Sequence, residues 1–133
     1  MLNILLVDDE GMVADVLKQI LTRMGHRVET APGGHQGIAM FDGRVYDLVI
    51  TDVVMGDLDG RRVAQHIRGS HRSSTPIIGI SGTPWLLEEG SFNSVIPKPF
   101  TVEALRNAID HAVGSPINPP RLQNSELFSM GRA

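Results

Sequence analysis

In four separate segments of this 133-residue chain, a short apolar run ends on a residue that can do chemistry. Asp8 and Asp9 follow Ile4-Leu5-Leu6-Val7, and Asp52 follows Leu48-Val49-Ile50-Thr51. Ser81 follows Ile77-Ile78-Gly79-Ile80, and Lys98 lies just beyond Ser94-Val95-Ile96. Runs of this kind read as buried parallel strands. In open α/β sheets the binding crevice lies outside the carboxyl ends of the strands, where the strand order reverses. A carboxylate placed there can take up a phosphoryl group as an acyl phosphate. Clustered acids repel one another and attract a hard divalent cation; Mg²⁺ suits, since it takes a few carboxylates and keeps waters. A lysine adds a compact positive charge on a long stem, suited to a phosphoryl oxygen or to a carboxylate. A serine hydroxyl can donate to the new phosphate. Nucleophile, charge neutralisation and positioning are what phosphoryl transfer requires.

Each residue alone has a plainer use. Asp8 and Asp9 could cap a helix, Asp52 could be a turn residue, Ser81 structural and Lys98 a surface lysine. Asp57, Asp59 and Gly60 read as turn and N-cap residues. Together at successive strand ends, the acids, the hydroxyl and the amine favour the functional reading.

The elements that must position them alternate. Asn3–Val7 is a strand. Met12–Met24 repeats Val13, Val16, Leu17, Ile20, Leu21 and Met24 at helical spacing and closes at Gly25. His26–Ala31 reads as a strand, Gly34–Phe41 as a helix, Asp47–Thr51 as a strand and Gly60–Arg68 as a helix. Pro76–Ile80 and Ser94–Ile96 read as strands, with a short helical possibility around Trp85–Glu89 between them. Val102, Leu105, Ala108, Ile109, Ala112 and Val113 give a last helix one apolar stripe. Strands alternating with helices imply right-handed βαβ crossovers and a parallel sheet covered on both faces. From Gly114 the chain turns linker-like, so the expected division is a domain over residues 1–113 and a Pro-containing flexible tail over 114–133.

Composition fits one ordinary globular domain: 41% hydrophobic, 20% charged, net charge −3. No basic run argues for direct nucleic-acid binding. The absence of cysteine excludes disulfides and thiolate-ligated zinc. With neither a transmembrane stretch nor a signal-peptide n-region, the expected place is the cytoplasm, away from the membrane. The five histidines show no ligand spacing and read as solvated surface. Arg61, Arg62 and Arg68 read as a solvated helix face. Trp85, the single tryptophan, is either a partner-facing anchor or a packing residue.

The chain resembles the receiver domain of two-component response regulators over roughly residues 2 to 113. Asp8-Asp9, the segment Asp52 to Gly60, Ser81-Gly82, Lys98-Pro99-Phe100 and the α/β alternation carry the resemblance. It implies a doubly wound, flavodoxin-like five-stranded parallel sheet in order 2-1-3-4-5. It implies Asp52 as phosphoacceptor, and Mg²⁺ held by Asp9 and Asp52 directly, by Asp8 through water and by the Val54 carbonyl. Ser81 would be the switch hydroxyl, Lys98 the phosphate-binding lysine and Pro99 a cis-proline, which would also aim Lys98 from a tight turn. The phosphoryl donor would be a phosphohistidine on a sensor histidine kinase or a histidine phosphotransfer protein. The protein would be a switch acting on an unknown downstream protein, as a monomer or weak homodimer, catalysing only its own phosphorylation and dephosphorylation.

The chain departs from the family pattern in three places. Gly56 stands where proline usually follows the methionine. Val95 replaces the switch tyrosine or phenylalanine. The interval from Ser81 to Lys98 is short, so the helix before the fifth strand is expected to be shortened or missing. Those departures leave a competing expectation, a degenerate receiver serving as a constitutive interaction module. A haloacid-dehalogenase-type phosphatase would want a second Asp two residues after Asp52, where Val54 sits.

Overall fold

The computed structural model describes residues 1–84 and 91–114. In chain order they form β1 (Asn3–Val7), α1 (Gly11–Arg23), β2 (Arg27–Ala31), α2 (Gly34–Gly43), β3 (Leu48–Asp52), α3 (Gly60–Arg68), β4 (Ile77–Ser81), β5 (Ser94–Pro97) and α4 (Val102–Gly114). The five strands are all parallel, in order β2-β1-β3-β4-β5. This is the doubly wound, flavodoxin-like sheet, and its order reverses between β1 and β3. The short helix foreseen around Trp85–Glu89 and the tail from Ser115 onward fall outside the described residues.

The strands are apolar on both sides because both faces are covered. Ile4, Leu6, Leu48, Ile50, Ile78 and Ile80 point to one face and pack with Leu17 and Leu21 of α1 and Leu105 and Ile109 of α4. Leu5, Val7, Val49 and Ile77 point to the other, against Phe41 of α2 and Val63, Ala64 and Ile67 of α3. Alternation by two along each strand splits one apolar run between two cores. Gly25 ends the first crossover in a left-handed conformation (φ +96°), where its N–H donates to the Thr22 carbonyl at 3.0 Å.

Arg68 differs from the sequence reading. Its side chain turns inward and is half-buried. Nε donates to the Ser91 carbonyl (3.1 Å), and Nη1 donates to those of Ser73 and Thr75 (2.7 Å each). Nη2 donates to Asn93 Oδ1 at 2.8 Å. The guanidinium thus pins the end of α3 to the approaches of β4 and β5, with carbonyl-type oxygens instead of solvent as partners. His26 is also half-buried, its Nδ1 accepting from the Leu2 N–H at 3.2 Å, and burial pushes its pKa down. His66 reaches Asp42 at 2.8 Å, tying α3 to α2.

Near β5, Val95 is half-buried beside the cluster that contains Phe92. The Phe92 ring lies on Gly79, where a Cβ would come within 3.0 Å of ring carbons. Phe92, three residues ahead of Val95, is therefore a buried packing group, and β4 gives up a side chain to admit it.

Candidate functional site

The sheet register brings the strand ends together. Val7 lies beside Thr51, so Asp8 follows beside Asp52. Asp52 lies beside Ile80, and Ser81 beside Pro97, which puts Lys98 one residue beyond. The Lys98–Pro99 peptide bond is cis. Each strand end is fastened to its neighbour: Asp8 N–H to the Ala31 carbonyl (3.1 Å), Val53 N–H to Ile80 (3.0 Å) and Lys98 N–H to Ser81 (2.9 Å).

Asp8 and Asp52 are buried, at 3% and 4% exposure. Lys98 Nζ lies 3.1 Å from each Asp52 carboxylate oxygen and 3.6 Å from Glu10 Oε1. One carboxylate oxygen from each of Asp8, Glu10 and Asp52 lies within 4.8 Å of the other two. Asp8 Oδ1 also accepts from the Glu10 N–H at 2.9 Å, which fixes its rotamer.

Every shifted group in this pocket is drawn toward binding positive charge. Burial, aided by the Asp52 charge, raises the Asp8 pKa against the Glu10 N–H bond. Burial raises Asp52 as well, outweighing its bond to Lys98. For Lys98, burial works downward, but Asp52, Asp8 and Glu10 together hold the ammonium protonated and its pKa up. One amine among three close carboxylates leaves net negative charge in a low-dielectric site. Such a site is filled by a proton or a cation, and an all-oxygen donor set matches Mg²⁺.

Asp9 is not one of that trio, although its charge helps to raise the Asp52 pKa. It is exposed, and its Oδ2 accepts from the Gly56 N–H at 2.8 Å. Val54, 74% exposed, lies in the loop between. Ser81 is buried at the end of β4, and its Oγ accepts from the Thr83 N–H at 3.0 Å.

The loop after Asp52 is held closely. The Gly60 N–H donates to the Val53 carbonyl at 2.8 Å, and a Cβ on Gly60 would meet the Asp52 carbonyl at 2.2 Å. Only glycine admits that approach. Asp59 caps α3 through the Arg61 N–H at 2.7 Å, an N-cap as its type suggests. Asp57 caps a different helix, accepting from the Gly34 and His35 amides of α2 at 3.0 and 3.1 Å.

The sequence reading passed over Glu10, although it directly continues the acidic pair Asp8-Asp9. That run of three acids at a strand end was the available signal. Asp57's partner on α2, 22 and 23 positions away, had none.

A family model described as the response regulator receiver domain matches residues 4–110. A probable transcriptional regulator, ycf27, of Cyanidium caldarium is 35% identical over 113 residues, which is 80% of this chain and 44% of that protein. The chain spans less than half the length of the curated relatives it matches in this way. Among solved structures, the response regulator TrrA of Thermotoga maritima in complex with Mg²⁺ and BeF superposes with a TM-score of 0.76 at 29% identity, over 83% of this chain and 97% of that one. The receiver domain of a Pseudomonas aeruginosa sensor histidine kinase, with magnesium coordinated in its active-site cleft, gives 0.78 at 26% identity, over 86% and 98%. No helix among the described residues is long and apolar enough to cross a membrane.

Proposed function

The chain belongs to the response regulator receiver domain family, a family of signalling switches, and from that premise we propose that Asp52 is its phosphoacceptor. The observation that carries this reading is the buried Asp52 carboxylate at the end of β3, contacted by Lys98 Nζ at 3.1 Å beside Asp8 and Glu10. The donor is a phosphohistidine of a sensor kinase or phosphotransfer protein. An Asp52 oxygen forms the new P–O bond as the donor P–N bond breaks, and the electron pair leaves on the imidazole. Lys98 keeps its charge beside the acceptor and offsets the added negative charge. Ser81, at the next strand end, donates its hydroxyl to the phosphate. Asp8, Asp9, Asp52 and the Val54 carbonyl would hold Mg²⁺. The ion supplies electrostatic neutralisation of the phosphoryl oxygens when bound.

The receiver proper takes residues 1–113, with 114–133 as its tail; the family match ending at 110 supports that division. Relatives named as transcriptional regulators qualify the expectation of no nucleic-acid partner. The charge balance speaks for the receiver alone, and DNA binding carried by another region is compatible with it. We place the protein in the cytoplasm, where a histidine kinase would present its phosphoryl group.

The test is labelling by acetyl phosphate with Mg²⁺, read by intact mass. The wild type gains one phosphoryl group that hydroxylamine and base both remove, as an acyl phosphate requires, and Asp52→Asn gains none. Stoichiometric acyl-phosphate-type modification of Asp52→Asn would overturn the assignment. Val95 in place of the switch aromatic supports one second reading, a constitutive interaction module. Failure of the folded wild type to bind beryllofluoride with Mg²⁺ would favour it.

A further inference from the structure

The acid that the family resemblance makes a direct cation ligand is already engaged by a backbone donor. Asp9 Oδ2 lies 2.8 Å from the Gly56 nitrogen, while Asp8, Glu10 and Asp52 stand together. The loop that presents this N–H is bolted down on its far side. Asp57 accepts from the first amides of α2, and a Cβ on Gly33 would touch both Asp57 carboxylate oxygens at 2.8 Å. On its near side the Gly60 N–H closes on the Val53 carbonyl at 2.8 Å. The donor is therefore held in place, and the acid must come to it.

We propose that the Gly56 N–H is a latch on Asp9: it parks the carboxylate in the metal-free protein, and a divalent cation must take Asp9 from it. Gly56 is thus a positioning residue for the cation site, and the proposal rests on the Mg²⁺ reading above. Only a residue with a backbone N–H can form the latch; proline at this position could not. The competing bond weakens cation binding and ties the pairing of the Gly56 N–H to whether the cation is bound.

The experiment titrates Mg²⁺ into wild type, Gly56→Pro and Gly56→Ala, following heat and the ¹⁵N-labelled amides. A Cβ at Gly56 meets nothing nearer than Asp9 Oδ2 at 3.6 Å, so alanine keeps both the donor and the space. Gly56→Pro should bind Mg²⁺ about five-fold more tightly, the worth of one modest hydrogen bond. Gly56→Ala should stay within about two-fold of wild type. In wild type the Gly56 amide proton should move upfield and exchange faster with water, along the same saturation curve as the heat. If Gly56→Pro fails to fold, that wild-type amide still decides. An amide that keeps its shift and protection at saturating Mg²⁺ overturns the latch and leaves the cation site standing. Absence of any Mg²⁺ heat or shift in the folded wild type brings down the cation site and the latch with it.

Discussion

The two ends of this sheet handle buried charge in opposite ways. At the carboxyl ends, Asp8, Glu10 and Asp52 crowd together with one amine, and the buried acids Asp8 and Asp52 have pKa values raised by burial. At the approaches to β4 and β5, one guanidinium is enclosed by four oxygens, three backbone carbonyls and the Asn93 amide. Burial lowers the Arg68 pKa, but its hydrogen bonding is rich, and Asn93 Oδ1 passes the contact on to the Ile77 N–H at 2.8 Å. The first cluster is short of positive charge, so its free energy falls when something binds. The second is satisfied within the fold, so it can only lose by change. A saturated charge marks structure here, and an unsaturated cluster marks function.

The largest effect should come from breaking the satisfied end. Arg68→Met keeps much of the side-chain volume and removes every donor, leaving four oxygens to find water. Urea unfolding should show a loss of about 3 kcal/mol with an unchanged m-value. Arg68→Lys should recover less than half of it, because an ammonium cannot reproduce the guanidinium fork. A loss below about 0.5 kcal/mol in Arg68→Met would mean that solvent serves these oxygens equally well, and the contrast between the two ends would collapse.

Changing the unsatisfied end should do the reverse. Asp8→Asn keeps an acceptor for the Glu10 N–H and removes one buried negative charge. Without metal, that variant should melt a few degrees higher than wild type, about 1 kcal/mol. Adding Mg²⁺ should raise the wild-type midpoint by mass action and raise the variant's less, so the gap narrows or reverses. Lower stability of metal-free Asp8→Asn would show the pocket to be neutralised already.

Much of this was legible in the sequence because parallel strands make their own rulers. Apolar runs that end on Asp8, Asp52 and Ser81 must end at the same edge once the sheet registers, so the site residues follow from the pattern. The nine described elements lie within a residue or two of the expected ones for the same reason. What the pattern cannot carry is the direction of a long or polar side chain. Arg68 shares the helical spacing of a solvated face, yet its stem reaches back to Ser91 and Asn93. Asp57 reads as a local turn residue and instead caps α2, whose own N-cap residue, Gly33, has no side chain to do so. Phe92 and Gly79 form a ring-on-glycine contact that neither residue announces alone. Asp9 and Gly56 meet across 47 positions through a backbone donor, which residue type does not reveal.

The smallest expected effect is a pH dependence that centres on Asp8. Its folded pKa is raised, while in the unfolded chain it titrates near the ordinary aspartate value of about 3.9. For an acid shifted upward, the ionised form costs stability at neutral pH, and that cost disappears as pH falls through the folded pKa. The advantage of metal-free Asp8→Asn over wild type should therefore be larger at pH 7 and shrink as pH falls toward 4. Comparing the two proteins removes the titrations outside the pocket, and what remains is Asp8 with its coupled neighbours Asp52 and Lys98. His26, with its lowered pKa, takes stability away as pH falls below about 6.5 in both. Asp57, held down by the α2 amides, contributes stability that both lose only at still lower pH. Denaturant melts at half-unit steps from pH 7 to 4, in EDTA, give the difference directly. A gap that stays constant across that range would show that Asp8 does not take up its proton in the folded protein there, and that burial alone does not set its charge.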